Sequence, residues 1–325
     1  LVLGTSAGHG ALTGMFADFI IMLEGASLFT AGPPLVEASL GIKTTPEELG
    51  SASMHATQSG VVHNLVSDEA QAVALARDYL SYMPQRRREP TPRSTDRPEA
   101  QPSDVDALLD IIPPTGNQSY DMRSVLQMLA DDGACILLQP AYGPSMLCAL
   151  ARVGGIATMV VANQPNVLAG AITVAAAEKA THFIDVANAF GLPLLTLLDN
   201  PGVMPGPQSE REGVLKAAGR MFAAQRRYSG CKIVVTLRKA FGFGSSVMGM
   251  NPWDRQAISI ALPSVSLGGI PAIGGADAAG ASATDADRLQ ALQSGAWVPA
   301  DAMAFDKVVN PTALRREILA VLQRN

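Results

Sequence analysis

The chain has 325 residues, of which 48% are apolar and only 16% charged, and its formal net charge is -5 at pH 7. A chain of this length can bury a large core, in one large or two ordinary domains. Its negative charge argues against general binding to nucleic acids or membrane surfaces, although a local basic pocket stays possible. Residues such as Asp18, Glu24 and Asp199 interrupt every apolar run before it reaches the roughly 18 residues of a membrane helix. We therefore expect neither nucleic acid nor membrane among the partners.

Three cysteines, Cys135, Cys148 and Cys231, lie in apolar contexts without a CxxC or Cys/His spacing. That pattern favours buried thiols in a reducing compartment and predicts no metal site. We expect a cytoplasmic protein, or one of the mitochondrial matrix if the source is eukaryotic. The chain begins Leu1-Val2-Leu3-Gly4, without a methionine or a signal peptide. We interpret it as an N-terminally truncated fragment.

In the first part of the chain, apolar patterns predict short strands and helices in alternation. Strands are expected at 1–3, 18–23 and 28–31, and helices at Pro33 onward, 46–50 and 68–83. Asp68 is the expected N-cap of the last helix, with Gln71 in the capping-box position. His55 and His63 lie in a segment of small residues, and we expect hydrogen-bonded structural roles for both.

The segment 84–104 is rich in proline, arginine and serine, which predicts a linker. Beyond it, helices and strands alternate, which is typical of parallel strands joined by right-handed crossovers. Helices are predicted at 105–112, 121–129, 172–190, 213–228, 285–294 and 311–323, strands at 135–139, 147–153, 156–162, 194–198, 233–237 and 257–262, and a glycine-alanine loop at 268–280. The pattern predicts an α/β fold.

Two glycine turns each follow a predicted strand and precede a predicted helix. One reads Ala7-Gly8-His9-Gly10-Ala11 and the other Phe241-Gly242-Phe243-Gly244-Ser245. The first N–H groups of a helix have no partner within it, so such a turn can hold an anion or an oxyanion. A single Gly-x-Gly is as well explained by a tight turn that needs glycine for its backbone angles. Two matched copies instead predict two active-site halves built on one repeated fold.

Several sequence blocks resemble a known family. They include Val160 to Gly170 (VVANQPNVLAG), Asp199 to Gly206 (DNPGVMPG) and Arg238 to Gly242 (RKAFG). Together they are similar to the carboxyltransferase (beta) subunits of biotin-dependent acyl-CoA carboxylases, of the propionyl-, acetyl- or methylcrotonyl-CoA carboxylase type. The similar blocks span almost the whole chain in the family's order, and roughly the first third of the family's length is absent.

This resemblance implies a crotonase-like (ClpP/crotonase) ββα superhelix, duplicated in two domains. Residues 1–83 would form the C-terminal part of the N-terminal, biotin-side domain, and 105–325 the C-terminal, acyl-CoA-side domain. The resemblance also implies a partner that carries biotin carboxylase and the biotin carrier (the alpha subunit). It implies a homo-oligomer as well, a hexameric ring of dimers with the active site at the dimer interface.

The reaction implied by the resemblance moves CO2 from carboxybiotin, held on the carrier domain, to the alpha or vinylogous carbon of an acyl-CoA. Both halves of the reaction develop an oxyanion, so both need preorganised N–H donors, whereas no side-chain base and no metal is required. By position, the catalytic donors are Gly8 and His9 on the biotin side and Phe243 and Gly244 on the thioester side. The substrate-binding residues are Gly10, Gly202, Phe241, Gly242 and Ser246.

The chain departs from the family's motifs at both turns. Those motifs usually read Gly-Gly-Ala, whereas this chain has Gly8-His9-Gly10 and Gly242-Phe243-Gly244. A backbone N–H survives any substitution except proline, but His9 and Phe243 add bulk where glycine lets a ligand approach closely. We expect the ring of Phe243 to cover the thioester or narrow the acyl pocket, and the small Ser246 to leave space.

Three other interpretations stay open at this stage. Gly4-Thr5-Ser6-Ala7-Gly8 matches the G-x-S-x-G elbow of α/β-hydrolases, with Ser6 as nucleophile. His182, the last histidine, lies within a predicted helix, so the C-terminal part offers that hydrolase no base. A non-catalytic carboxyltransferase-like scaffold subunit would keep the fold without the chemistry. A biotin-dependent acyl-CoA decarboxylase would run the same half-reactions backwards.

Overall fold

The structure, a computed structural model, describes residues 1–86, 89–94, 108–132, 134–251, 254–271 and 282–325. It divides into two compact units, one formed by 1–82 with 138–143 and the other by 83–137 with 144–325. Most of the expected linker at 84–104, residues 105–107 and most of the expected loop at 268–280 lie outside the described residues. The expected division into domains at 83 and 105 therefore stays a prediction.

Short parallel strand pairs and short helices build the first unit. Strand β1 (Ser6–Ala7) pairs with β3 (Leu28–Phe29), and β2 (Ile21–Leu23) pairs with β4 (Asn64–Val66). The helices are α1 (His9–Gly14), α2 (Pro33–Leu40), α3 (Pro46–Gly50), α4 (Ala52–Met54), a π turn (His55–Ser59) and α5 (Glu69–Ser81). Ala11, Met22, Leu28 and Val62 are among the residues of its core.

Local sequence signals explain where these helices begin. The Asp68 side chain accepts from the Gln71 N–H at 2.8 Å, and Pro33 and Pro46 occupy first-turn positions. The predictions of these three helices are confirmed. The prediction of a strand at 1–3 is wrong, because only Val2 bridges β2 before the chain turns and pairs at Ser6 with β3.

A mixed sheet forms the centre of the second unit, and its strand order is β12-β10-β9-β8-β7-β6-β5, with β11 beside the end of β9. The strands are β5 (Cys135–Leu138), β6 (Met146–Val153), β7 (Ile156–Asn163), β8 (Leu194–Asn200), β9 (Lys232–Phe241), β10 (Ile258–Ala261), β11 (Ser266–Gly268) and β12 (Lys307–Val308). Strands β6 and β7 form an antiparallel hairpin, whereas β7, β8, β9 and β10 run parallel. The prediction of parallel strands in this part of the chain is confirmed.

Helices cover the sheet and position the segments at its carboxyl edge. They are α6 (Leu108–Ile111), α7 (Met122–Leu129), α8 (Val174–Phe190), α9 (Pro207–Glu212), α10 (Val214–Arg227), α11 (Gly242–Val247), α12 (Ala283–Gln293), α13 (Trp297–Asp301) and α14 (Leu314–Leu322). Val125 of α7 and Ile318 of α14 belong to one buried cluster with Val160 and Val235 of the sheet. This core holds β8 and β9 in place, and the second glycine turn follows the end of β9.

The three cysteines are free thiols. Cys148 is buried, and Cys135 and Cys231 are half-buried. Burial raises the pKa of Cys148 to about 12 and those of Cys135 and Cys231 to about 11, which disfavours the reactive thiolate.

Within the described ranges, the helices are all too short or too polar to cross a membrane.

Candidate functional site

The two glycine turns have the same backbone construction. Gly8 and Gly242 both adopt φ 58°, in the left-handed region that strains residues with side chains. Ala7, which precedes Gly8, pairs with the last residue of β3, and Phe241, which precedes Gly242, pairs with the last residue of β11. Each turn thus joins the end of a strand with a parallel neighbour to the start of a short helix, α1 or α11.

In the first unit, the turn presents the N–H groups that begin α1. The N–H of Gly8 donates to the carbonyl oxygens of Phe29 and Thr30, both at 3.2 Å. The Leu12 N–H donates to the Gly8 carbonyl, so the N–H groups of His9 and Gly10 precede the first hydrogen bond of α1. The donors that this turn offers to a ligand therefore come after Gly8.

A cavity of about 530 Å³ opens beside this turn. Its wall is mostly apolar, with polar groups from His9, Thr30 and His55; the apolar lining comes from Ala11, Leu12, Met15, Leu28, Phe29, Leu49 and Val61. Concave, largely apolar sites with a few convergent polar groups are typical of small-molecule binding. The cavity and the free end of α1 thus form one candidate half-site.

In the second unit, Gly244 is held in close contact with the segment that follows β8. A Cβ added to Gly244 would lie 2.8 Å from Asn200 Oδ1 and 2.8 Å from Cα of Gly202. Gly202 itself adopts φ 128°, and its carbonyl accepts from the Ile172 N–H. Only glycine fits at position 244 without displacing backbone, which fixes the direction of the N–H groups at the start of α11.

A buried ion pair lies below this second turn. Arg238 Nε donates to Asp199 Oδ2 at 3.0 Å, and both side chains are almost fully buried. Arg238 Nη1 also donates to the carbonyls of Thr115 and Gln118, at 2.6 and 2.7 Å. The guanidinium carbon of Arg238 lies 5.0 Å from the centre of the Tyr120 ring. The pair ties β8 to β9 directly before the turn.

Lys239 extends this network to a strained loop. Its Nζ lies 3.6 Å from Asp199 Oδ1 and 3.4 Å from the carbonyl oxygen of Ala169. Leu168 and Ala169 both have positive φ, at 49° and 53°, which is unusual for residues with side chains. Burial lowers the pKa of Lys239, and the charge of Asp199 opposes that shift. Such strain persists only where surrounding contacts hold it, and it is frequent near ligand sites.

A small apolar cavity of about 170 Å³ lies between α10 and α11. Leu215 and Phe222 line it from α10, and Phe243, Ser246 and Val247 line it from α11. The side chain of Phe243 is 54% exposed beside this space. Phe243 therefore belongs both to the second turn and to the wall of this cavity.

Hydrogen bonds tie His55 and His63 into the fold. Both ring nitrogens of His55 are within hydrogen-bonding distance of a partner. Nδ1 lies 2.7 Å from Ser59 Oγ, and Nε2 lies 2.6 Å from the Leu28 carbonyl oxygen. His63 Nδ1 accepts from the Ile20 N–H at 2.8 Å. These contacts agree with the structural roles expected for both residues.

Comparison with known proteins identifies the family. A family model described as the carboxyl transferase domain matches residues 1–308. The chain belongs to the carboxyl transferase family. The predicted resemblance is thereby confirmed, and the α/β-hydrolase interpretation loses its basis.

Known carboxyl transferases cover nearly the whole of this chain. It is 32% identical over 336 aligned residues to the methylmalonyl-CoA carboxyltransferase 12S subunit of Propionibacterium freudenreichii subsp. shermanii, covering 99% of this chain and 63% of that protein. It is 32% identical over 285 residues to the propionyl-CoA carboxylase beta chain of Saccharopolyspora erythraea, covering 85% of this chain and 52% of that protein. The chain thus spans between about half and just under two thirds of the length of these two relatives.

Solved structures give the same result for the fold. A crystal structure of transcarboxylase 12S, described as a hexamer assembly with hydrolysed methylmalonyl-coenzyme A bound, matches with a TM-score of 0.92 at 31% identity. The match covers 99% of this chain and 63% of that one. The expected crotonase-like carboxyltransferase fold is confirmed.

Of the expected site residues, the structure brings Phe241, Gly242, Gly244 and Gly202 together, and it places Ser246 one helical turn further along α11. In the other unit, Gly8, His9 and Gly10 form the start of α1. Their roles stay predictions. The sequence did not indicate the ion pair of Asp199 with Arg238, although both residues lie in the blocks that carry the resemblance.

Proposed function

We propose that the chain is the carboxyltransferase component of a biotin-dependent acyl-CoA carboxylase. It transfers a carboxyl group from carboxybiotin on a carrier domain to the alpha or vinylogous carbon of an acyl-CoA. The observation that carries this proposal is the repeated turn, in which Gly8 and Gly242 share φ 58° and the same strand pairing in front of a helix. Two oxyanions need two such donor sets, and each unit supplies one.

In the second unit, the N–H groups of Phe243 and Gly244 hold the thioester oxygen of the acyl-CoA. When the alpha C–H bond breaks, its electron pair moves toward this oxygen, and the donors stabilise the charge that develops. Removal of one such donor typically slows a reaction about 10²- to 10³-fold. The contacts of Gly244 with Asn200 and Gly202 keep the donors in place before the charge appears.

In the first unit, we assign the donor role to His9 and Gly10. The Gly8 N–H is already bonded to Phe29 and Thr30, which argues against the assignment of Gly8 from sequence. The revised pair also matches the second unit, since His9 and Gly10 follow Gly8 as Phe243 and Gly244 follow Gly242. The two turns then act through equivalent atoms.

The cavity beside α1 fits the bicyclic ring of biotin. At about 530 Å³ it lies within the range of small-molecule sites, and its apolar wall suits the ring while His9, which lines it at the start of α1, presents its N–H group to a carbonyl oxygen. When bound, carboxybiotin supplies the carboxyl group and the nitrogen that accepts the alpha proton. His55 is held by Ser59 and Leu28, so it shapes the wall instead of moving a proton.

This function implies the partners expected from sequence. They are a biotin carboxylase with a biotinylated carrier domain, and further copies of the chain in an oligomer, for which a hexameric ring of dimers is the expected form. Three exposed apolar side chains on and just after α1 agree with a protein contact there, since Leu12, Met15 and Phe16 are 54%, 41% and 81% exposed.

The test is acyl-CoA-dependent loss of labelled carboxylate from carboxybiotin, measured with the full-length protein and its carrier partner. We expect label to appear in the acyl-CoA fraction with at least one of acetyl-, propionyl- and longer acyl-CoA esters. A folded oligomer that transfers no label to any ester would contradict the proposal and favour a scaffold role. Loss of label only in the reverse direction, from a carboxylated acyl-CoA, would identify a decarboxylase.

A further inference from the structure

We infer that the cavity between α10 and α11 binds the alkyl chain of the acyl group and gives this protein a preference for medium-length acyl-CoA esters. The inference rests on the proposed acyl-CoA site at the second turn. It concerns Phe243, a residue at which the family's motifs carry glycine, and Phe222, which faces it across the cavity.

The position of the cavity connects it to the reacting atoms. Phe243 contributes its N–H to the turn and its ring to the cavity wall. Ser246 and Val247 continue that wall one helical turn later, a rise of about 5 Å. On the other side of the turn, Asn200 and Gly202 fill the space against Gly244. A chain that leaves a thioester held at this turn therefore finds room along α11.

The lining of the cavity favours a hydrocarbon. It is formed by apolar side chains and the hydroxyl-bearing Ser246, with no charged side chain among the described lining residues. Leu215, Phe222 and Phe243 are 66%, 37% and 54% exposed, which is unfavourable for apolar groups that lie together. An alkyl chain would cover all three, whereas a carboxylate or an amine would lose its hydration without a partner.

The volume sets the length of the chain. About 170 Å³ holds five or six water-sized groups, at ~30 Å³ each. That corresponds to the carbons beyond the alpha carbon of an octanoyl group. Burial of one methylene typically improves binding about three- to fivefold. The preference should therefore grow along the series and end when the cavity is full.

Steady-state transfer with the full-length protein and its carrier tests the inference. From butyryl- to hexanoyl- to octanoyl-CoA, we expect kcat/KM to rise about three- to fivefold per methylene, chiefly through KM, and to level off beyond octanoyl-CoA. Phe222→Ala and Leu215→Ser should each flatten this rise and lower the octanoyl to butyryl ratio about tenfold. Leu292→Ala is the matched control, because Leu292 is 71% exposed on another helix and should leave the ratio unchanged.

Binding of unreactive S-alkyl-CoA thioethers, followed by calorimetry, provides a second readout. S-octyl-CoA should bind more tightly than S-ethyl-CoA, and Phe222→Ala should remove the difference. If no ester is carboxylated but this difference persists, the proposed function fails while the cavity assignment stands. If transfer occurs without a dependence on chain length, the inference is wrong. It is also wrong if Phe222→Ala and Leu215→Ser dissociate the oligomer, measured by light scattering, without changing the ratio.

Discussion

Single glycines control the second turn. Gly244 lies so close to Asn200 and Gly202 that an added Cβ would approach them to 2.8 Å. The family's motifs usually carry alanine here, so Gly244→Ala looks conservative from sequence. The structure indicates the opposite, because the contact includes the backbone of Gly202, whose φ of 128° restricts adjustment.

We predict that Gly244→Ala lowers the free energy of unfolding by about 1–3 kcal/mol, as overpacking usually does. Gly219→Ala is the control, because Gly219 lies exposed in α10 with open space around it, and alanine there should stabilise the helix by about 0.5–1 kcal/mol. Urea unfolding of both variants measures the difference. Equal stability of Gly244→Ala and Gly219→Ala would mean that the turn accommodates the added methyl group without strain.

Lys179, on α8, makes the stability of the folded protein depend on pH. Burial lowers its pKa from 10.5 to about 8. Below pH 8 the folded and unfolded states both hold the proton, and the cost of burying the charge is fully present. Between pH 8 and 10.5 the unfolded state binds more protons, so this group makes stability rise with pH.

We predict that Lys179→Met is more stable than the wild type below pH 8, by up to about 3 kcal/mol, and that this advantage shrinks as the pH rises toward 10.5. The difference between the two proteins removes the contributions of Cys135 and Cys231, whose raised pKa values act in the opposite direction at high pH, and it retains the electrostatic coupling between Lys179 and Cys148. Lys216→Met, at an exposed position of α10, should show no such trend. Parallel stability curves for Lys179→Met and wild type would contradict the assignment.

Sequence and structure differ in an instructive way at Gly8. The repeated glycines predicted two equivalent turns, because few residues tolerate a left-handed φ and the pattern recurs. The same pattern could not tell which N–H groups are free. The acceptors of the Gly8 N–H, the carbonyls of Phe29 and Thr30, are brought in by strand pairing from later in the chain.

Among the elements, β9 shows why strand ends are hard to predict. The sequence predicted it over 233–237, since Arg238 and Lys239 look like the polar end of a buried strand. The structure continues it to Phe241, because Arg238 is neutralised by Asp199 of β8 and Lys239 is anchored beside the same carboxylate. A partner on another strand cannot be identified from local patterning.

The ion pair between β8 and β9 leads to a prediction about stability. Arg238→Met would leave Asp199 buried beside the more distant ammonium group of Lys239, and we expect a loss of about 3–5 kcal/mol in the free energy of unfolding. The exposed pair of Arg227 with Asp185, at 3.1 Å, is the control, and Arg227→Met should cost less than about 1 kcal/mol. Denaturant unfolding distinguishes the two cases. Similar losses would mean that the buried pair does not hold the strands.

For the whole molecule, the order of helices and strands could be predicted from periodicity and from glycine and proline positions. The composition of the first unit could not. It includes residues 138–143, far along the chain, where the Gln139 N–H donates to Asn64 Oδ1 at 3.1 Å and Gln139 Nε2 donates to the Gly60 carbonyl at 2.7 Å. A later segment of the chain joins an earlier unit in this way through tertiary contacts between residues that are distant in sequence. The same holds for the cavity of Leu215 and Phe222, which sequence treated as ordinary helix positions.

The central claim is that backbone N–H groups at two equivalent turns carry the chemistry. Proline removes one N–H and is tolerated in the first turn of a helix, where His9 is the first residue of α1 and Phe243 the second residue of α11. The decisive measurement is label transfer from carboxybiotin to the acyl-CoA ester that the wild type carboxylates fastest, by the full-length protein with its carrier, comparing proline with alanine at each position. We predict that His9→Pro is at least about 100-fold slower than His9→Ala, and Phe243→Pro at least about 100-fold slower than Phe243→Ala, with all four variants folded. Equal rates for proline and alanine at either turn would contradict the account.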